Sequence, residues 1–301
     1  MTDYGDSEQP AVLTIAGFDP SGGAGIIADV KTIQAFGCRP AAAITSLTFQ
    51  NSKGVFGAIH QSAESLRSQV LPIMEEVHIA AVKIGMSPTS EIVLAVARLV
   101  REMNLPAPVV DPVLQASSGD ELMAEGAVEV MLSELMPHAC VITPNVPEAE
   151  TLTGLKITNE DEMREAARRL REMGARAVLI KGGHLEEGSE VRGQRSDDPV
   201  ENVHQVHLVH PVHDIRRHAI DVLDEHGQIT VFRGEWIDSP PVRGTGCMLS
   251  SAIAACLAQR MLLRESVRVA KEFVAGAIRY APKLAPDPVT LELTEIARLE
   301  N

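Results

Sequence analysis

The sequence predicts an α/β protein: a doubly wound, mostly parallel sheet with helices on both faces. Two patterns carry that expectation. Short apolar runs of strand length alternate with segments of helical period along most of the chain, and nearly every run ends on a glycine or a polar residue. The first run, Val12-Leu13-Thr14-Ile15-Ala16, has the continuous apolar character of a parallel strand covered on both faces, and Gly17 closes it. A glycine-rich loop, Asp19 to Gly25, then leads into a helix over about 26–36. Residues 41–49 and 55–60 read as strands around the polar turn Asn51-Ser52-Lys53-Gly54. Leu66, Val70, Ile73 and Val77 follow the three-and-four spacing of an amphipathic helix.

The alternation continues with a strand over 79–84. Ser87 is then expected to cap a helix that starts at Pro88 and carries Glu91 in its first turn. Val109-Val110 ends a strand at Asp111-Pro112, and a helix is expected over 121–136. Cys140-Val141-Ile142 is a strand ending at Thr143-Pro144-Asn145. Asn159 and Glu162 form a capping-box pattern that opens a charged helix to Met173. Residues 177–180 form a further strand ending at Lys181-Gly182-Gly183. A hairpin over 219–224 and 228–233 turns at Glu225-His226-Gly227, and an alanine-rich helix is expected over 248–263. In such sheets ligands gather beyond the carboxyl ends of the strands. Asp19, Gln50, Gly85-Met86, Asp111, Asn145 and Lys181 each follow a predicted strand, so they are expected to converge on one face.

The 301 residues suit a single domain over 11–285, with a disordered N-terminus at 1–10 and a C-terminal tail at 286–301. Residues 186–218 break the rhythm as a polar insertion with five histidines, read as a solvated surface segment, with a metal-responsive or partner-binding element as the alternative. The formal net charge of −14 argues against nucleic-acid or anionic-membrane partners, which need a basic footprint. Four widely spaced cysteines suggest neither a zinc site nor a disulfide framework. With no signal region and no apolar run of membrane-spanning length, the expected compartment is the cytoplasm.

The segment Pro241-Val242-Arg243-Gly244-Thr245-Gly246-Cys247-Met248 is the most informative. A Gly-X-Gly turn feeding a helix directs unpaired backbone N–H groups at one spot, and the positive end of the helix dipole adds to the pull on an anion. Gly244, Thr245 and Gly246 are therefore candidates for an anion hole. The same field is expected to lower the thiol pKa of Cys247. An anion hole beside an ionisable group suits phosphoryl transfer, where the enzyme mainly positions groups and stabilises charge. The loop at 17–25 is neither a Walker P-loop nor a dinucleotide fingerprint, because it lacks both the Lys-Ser/Thr pair and the G-x-G-x-x-G spacing.

Taken together, Ala16 to Gly25 with Ala28-Asp29-Val30-Lys31-Thr32, Gln50-Asn51, Lys83-Ile84-Gly85-Met86, Asp111-Pro112-Val113, Thr143-Pro144-Asn145 with Glu148-Ala149, Lys181-Gly182-Gly183-His184 and Gly244-Thr245-Gly246-Cys247 resemble, in order, the hydroxymethylpyrimidine/phosphomethylpyrimidine kinases of thiamin biosynthesis, which are ribokinase-like. The resemblance spans about residues 11–280. It implies that Asp29, Gln50 and the backbone near Gly17 hydrogen-bond an aminopyrimidine on which Met86 packs. It further implies that Lys181, Asn145 and Thr245 meet the phosphates of ATP, and that Glu148 with Asp111 organises Mg²⁺. On spacing alone Asn145 and Glu148 equally suit a helix cap. Cys247 stands where the wider superfamily has an aspartate base, and is either a base or a group that shapes the pocket. The expected substrates are 4-amino-5-hydroxymethyl-2-methylpyrimidine and then its monophosphate, and the expected assembly is a homodimer. The alternatives are a pyridoxal or pyridoxine kinase on the same scaffold and a catalytically silent pyrimidine-binding protein. Arg243 and Met248 depart from the family's usual histidine and threonine, and Arg243 is expected to add a phosphate contact.

Overall fold

In the computed structural model the described residues are 9–116, 118–183, 218–239 and 242–281. Nearly all of the histidine-bearing insertion, most of the N-terminal segment and the C-terminal tail lie outside them.

Nine strands make one sheet: β1 (Ala11–Phe18), β2 (Arg39–Asn51), β3 (Gly54–His60), β4 (Ile79–Ile84), β5 (Val109–Val110), β6 (Val141–Ile142), β7 (Ala177–Gly182), β8 (His218–Glu225) and β9 (Gln228–Glu235). Their spatial order is β3-β2-β1-β4-β5-β6-β7-β8-β9. The six strands from β2 to β7 run parallel, while β3, β8 and β9 pair antiparallel at the two edges. The architecture is the doubly wound, mostly parallel one that the sequence predicts.

Side chains alternate across the strands and so sort into two cores. Leu13, Ile15, Val82, Ile84, Val178 and Ile180 face α2 (Ala63–Glu76), α3 (Ser90–Glu102), the short α4 (Ala127–Val130), α5 (Val146–Thr153) and α6 (Glu160–Glu172). Val12, Ala81, Val109, Val141, Ala177 and Leu179 face α1 (Gly25–Ala35), α7 (Thr245–Ala258) and α8 (Leu263–Tyr280). The same alternation assigns Thr14, Lys83 and Lys181 to the α1/α7 side. Helix α7 buries ten of its fourteen residues, mostly alanine and serine, and small side chains let it lie close on the strands.

Three local expectations change. Thr89, not Ser87, caps α3, because its side chain accepts from the Ile92 N–H, while Ser87 is turned inward onto the Gly85 carbonyl. The helix expected over 121–136 begins only at Ala127. Before it, Leu122 and Ala124 donate to the Leu114 and Pro88 carbonyls, and Gly126 takes a left-handed φ of 78°; after α4 the helix widens into a π turn at Met131–Leu135. The helix expected over 248–263 is α7, which starts earlier at Thr245 and stops at Ala258; Arg260, with φ of 65°, turns the chain before α8 begins at Leu263. The hairpin turn at His226-Gly227 is as expected, with φ of 52° and 88°. No helix among the described residues is long and apolar enough to cross a membrane.

Candidate active site

A cleft of about 1120 Å³ runs across the carboxyl ends of the strands. Gly17, Asp19, Gln50, Met86, Asp111, Asn145, Glu148, Lys181 and the turn Gly244 to Cys247 all line it. Strand order sets their sequence along the cleft. Gln50 (β2), Met86 (after β4), Asp111 (after β5), Asn145 (after β6) and Lys181 (β7) follow one another, and Phe232 and Trp236 close the far end near β9. At a strand spacing of about 4.8 Å, the seven steps from β2 to β9 span roughly 34 Å, room for two ligands end to end.

The turn is built as its glycines require. Gly244 caps α7 with φ of 76°, and a Cβ there would lie 2.1 Å from the Gly23 carbonyl oxygen, so the turn sits directly on the glycine-rich loop. The first intrahelical bond runs from the Met248 N–H to the Gly244 carbonyl at 2.8 Å. The N–H groups of Thr245, Gly246 and Cys247 precede it and have no intrahelical acceptor. A Cβ on Gly246 would stand 3.2 Å from the Lys181 ammonium and 3.7 Å from the Asp111 carboxylate, so turn, cation and anion meet at one point.

Lys181 donates to Asp111 Oδ1 at 2.7 Å; the same oxygen accepts from Thr143 at 3.0 Å, and Oδ2 from Ser250 at 3.4 Å. Burial alone would raise the Asp111 carboxyl, but the charges of Lys181 and Lys83 outweigh it and hold it below the ordinary carboxylate range. Burial opposes the Lys181 charge in turn, and Asp111 with Glu148 holds it above the ordinary lysine range. Asn145 and Glu148 form the reciprocal capping box of α5, with both bonds at 2.8 Å. Capping is therefore part of what this pair does, and it fixes the Glu148 carboxylate at the cleft wall. Burial pushes that carboxyl up to about 7 against the pull of Lys181.

Two expectations are corrected. Asp29 does not reach the cleft: it is fully buried, and its oxygens accept from Thr14 (2.7 Å), Ser251 (2.8 Å) and Lys83 (2.8 and 2.9 Å). Thr14 and Lys83 alternate onto the α1/α7 face, so the aspartate on α1 closes a network between sheet and helices. Cys247 is also unlike the expectation. Burial pushes its thiol up to about 11, against the opposing charge of Lys83 and a hydrogen bond from the Gly25 N–H, while Asp29 and Asp111 raise it further. Desolvation is the largest influence on this thiol and sets the direction of its shift.

The sequence alone assigns Lys83 no role and offers Arg243, a departure from the family pattern, as an added phosphate contact. Lys83 forms part of the cleft wall behind Cys247; strand parity with Thr14 could have found it. Arg243 donates to Ser21 Oγ at 3.0 Å and lies 3.4 Å from Asp19 Oδ2 and 3.5 Å from Gln50 Oε1. A Cβ on Gly17 would stand 2.7 Å from Met86 Sδ, so Met86 packs directly on the β1 backbone at the Gln50 end of the cleft and would have to shift for any side chain there. No cluster of three or more His, Cys, Asp or Glu placed to hold a metal occurs among the described residues.

A parallel sheet whose carboxyl end gathers an anion turn, a lysine and two carboxylates defines a kinase of the doubly wound α/β class. The chain belongs to the phosphomethylpyrimidine kinase family, whose model matches residues 19–290. It is 38% identical over 269 residues to a hydroxymethylpyrimidine/phosphomethylpyrimidine kinase of Streptomyces coelicolor, covering 89% of this chain and 88% of the relative. It is 39% identical over 274 residues to the thiamine biosynthesis bifunctional protein ThiED of Geobacter sulfurreducens; that match covers 91% of this chain, which spans about half (50%) of the longer relative. Among solved structures, the phosphomethylpyrimidine kinase of Clostridium difficile superposes with a TM-score of 0.71 at 35% identity, over 90% of this chain and 100% of that one. An ADP complex of Bacillus subtilis pyridoxal kinase gives 0.78 at 30% identity, over 96% and 100%. The fold is thus ribokinase-like.

Proposed function

We propose that this protein transfers the γ-phosphoryl group of ATP to the hydroxymethyl group of 4-amino-5-hydroxymethyl-2-methylpyrimidine, and then to the resulting monophosphate, in thiamin biosynthesis. The observation that carries the reading is one cleft joining a ring-sized subsite at Gln50, Met86 and Gly17 to the Lys181–Asp111 pair beside the Gly244–Gly246 turn. Gln50 offers an amide to ring nitrogens or an exocyclic amine, and Met86 offers an apolar, polarisable surface to the ring face. Asp29 acts on this subsite only through Lys83. Lys181, Asn145 and Thr245 meet the nucleotide phosphates, and the apolar end near Phe232 and Trp236 takes the nucleotide base.

Asp111 and Glu148 fit Mg²⁺, which takes few protein oxygens and completes its shell from phosphates and water. Their mutual repulsion helps raise Glu148, and a divalent cation would relieve it. When bound, Mg²⁺ neutralises phosphate charge. The rest falls to this chain. The hydroxymethyl oxygen attacks the γ-phosphorus, the bond to the ADP oxygen breaks so that ADP leaves with that electron pair, and the hydroxyl proton passes to solvent water. The turn N–H groups and Lys181 hold the charge on the transferred group. Cys247 rests as a thiol, so the alcohol is not ionised beforehand; proton loss accompanies bond formation, as a loose transition state permits.

A homodimer completes the proposal. Leu47, Phe49 and Ile59 are exposed on one face of the antiparallel β2–β3 pair at the sheet's edge, an apolar patch suited to a second copy, and Phe49→Glu should leave a monomer on sedimentation. A cytoplasmic enzyme would meet both ATP and a small heteroaromatic alcohol. The pyridoxal kinase reading is kept because of the Bacillus structure's closer superposition. ADP release assayed with hydroxymethylpyrimidine, its monophosphate, pyridoxal and pyridoxine decides between them. The pyrimidines should give the higher kcat/KM, and a preference for pyridoxal would overturn the reading.

A further inference from the structure

We infer that Arg243 holds the phosphate already present on the substrate when the second phosphoryl group is added. The inference rests on the function proposed above and assigns its second step to a named side chain. Both acceptors must present their nucleophilic oxygen to the same anion turn. The monophosphate is longer by one phosphoryl group, so with the ring kept at Gln50 its phosphate falls between Gln50 and Gly244. Arg243 spans that stretch. It is joined covalently to Gly244, and its Nη2 stands 3.5 Å from Gln50 Oε1.

The guanidinium is oriented yet underused. Nη1 donates to Ser21 Oγ at 3.0 Å, while the contact to Asp19 Oδ2 is long at 3.4 Å. Asp19 does not depend on it, because Oδ1 already accepts from the Ser21 N–H at 2.9 Å and the Ser21 hydroxyl at 2.7 Å. A guanidinium carries five donors, and its planar fork matches a phosphate bidentately. The side chain is 15% exposed and lines the cleft, so a ligand reaches it without displacing the core. The neighbouring lysines are committed elsewhere: Lys83 to Asp29 inside the protein, and Lys181 to Asp111 further along the sheet, where the donor's phosphates lie. Arg243 is the cation that touches the amide at the ring end.

Steady-state kinetics of wild type, Arg243→Gln and Arg243→Lys with the alcohol and the monophosphate test this. Arg243→Gln should lower kcat/KM for the monophosphate by about 10–100-fold, mainly through KM, as expected for loss of a charged hydrogen bond. The alcohol should change by less than about 3-fold, and Arg243→Lys should recover part of the monophosphate activity. Equal losses on both acceptors, or no loss on the monophosphate, would reduce Arg243 to a pin for the glycine-rich loop and overturn the inference. If the wild type turned over neither pyrimidine, the functional reading itself would fail. Calorimetric binding of the monophosphate to wild type and Arg243→Gln would then decide the role of Arg243, with equal affinities counting against it.

Discussion

Two lysine–aspartate pairs stand on the same face of the sheet, Lys83 with Asp29 and Lys181 with Asp111, and access is what separates them. In the first pair neither side chain is exposed, and four hydrogen bonds fill the aspartate. In the second, the lysine is 14% exposed, toward the cleft, although its aspartate is nearly as buried as the first. A sealed pair has spent its charge on locking α1, α7, β1 and β4 together. An open pair still has charge to offer a ligand. Residue type is the same in both, so function follows from whether solvent, and hence substrate, can reach the ammonium.

Breaking the sealed pair should have the largest effect. Lys83→Met leaves Asp29 as an unpaired buried charge and should cost about 3–5 kcal/mol in urea unfolding, whereas Lys83→Met combined with Asp29→Leu should regain much of it. A single-variant cost near zero would mean that the pair is not sealed.

The open side should show itself through pH. Folding raises the Glu148 carboxyl from its ordinary 4.5 to about 7, so the folded state binds the proton more tightly than the unfolded chain does. That contribution to stability is fully present below pH 4.5 and is lost as pH rises through about 7. Glu148→Gln should flatten this fall. In the wild type, Mg²⁺ binding should strengthen over the same window as the carboxylate ionises. An unchanged pH–stability profile in the variant would remove Glu148 as its source.

The smallest effect concerns Cys247 at neutral pH. With its thiol pushed up to about 11, alkylation should be slow at pH 7 and rise about tenfold per pH unit without levelling off before pH 10, followed by mass spectrometry of the peptide. A plateau near neutrality would restore the thiolate that the helix terminus alone suggests.

The order of site residues along the cleft was legible because parallel strands deliver the residues after them to one edge, and short apolar runs mark strand ends sharply. Gln50, Met86, Asp111, Asn145 and Lys181 all follow that rule. Asp29 escaped it because a helix position does not reveal which face meets the core; only the partners Thr14, Lys83 and Ser251, from three other elements, turn it inward. The Cys247 expectation failed for a related reason. Sequence reveals the helix dipole but not how much water the packed turn excludes, and desolvation is the first cause of the upward shift. Arg243 reads from the sequence as an added phosphate contact, but its partners become visible only when the glycine-rich loop is brought over from the other end of the chain.

The contrast between the pairs is tested most directly by one comparison of folded, purified variants: kcat/KM for ATP in Lys181→Ala set beside its stability. Loss of a charge-stabilising donor at the transferred phosphoryl group should cut turnover by about 10²–10³-fold. Urea unfolding of the same variant should cost less than that of Lys83→Met. Near-normal turnover in folded Lys181→Ala would contradict the account and move phosphoryl transfer away from the open pair.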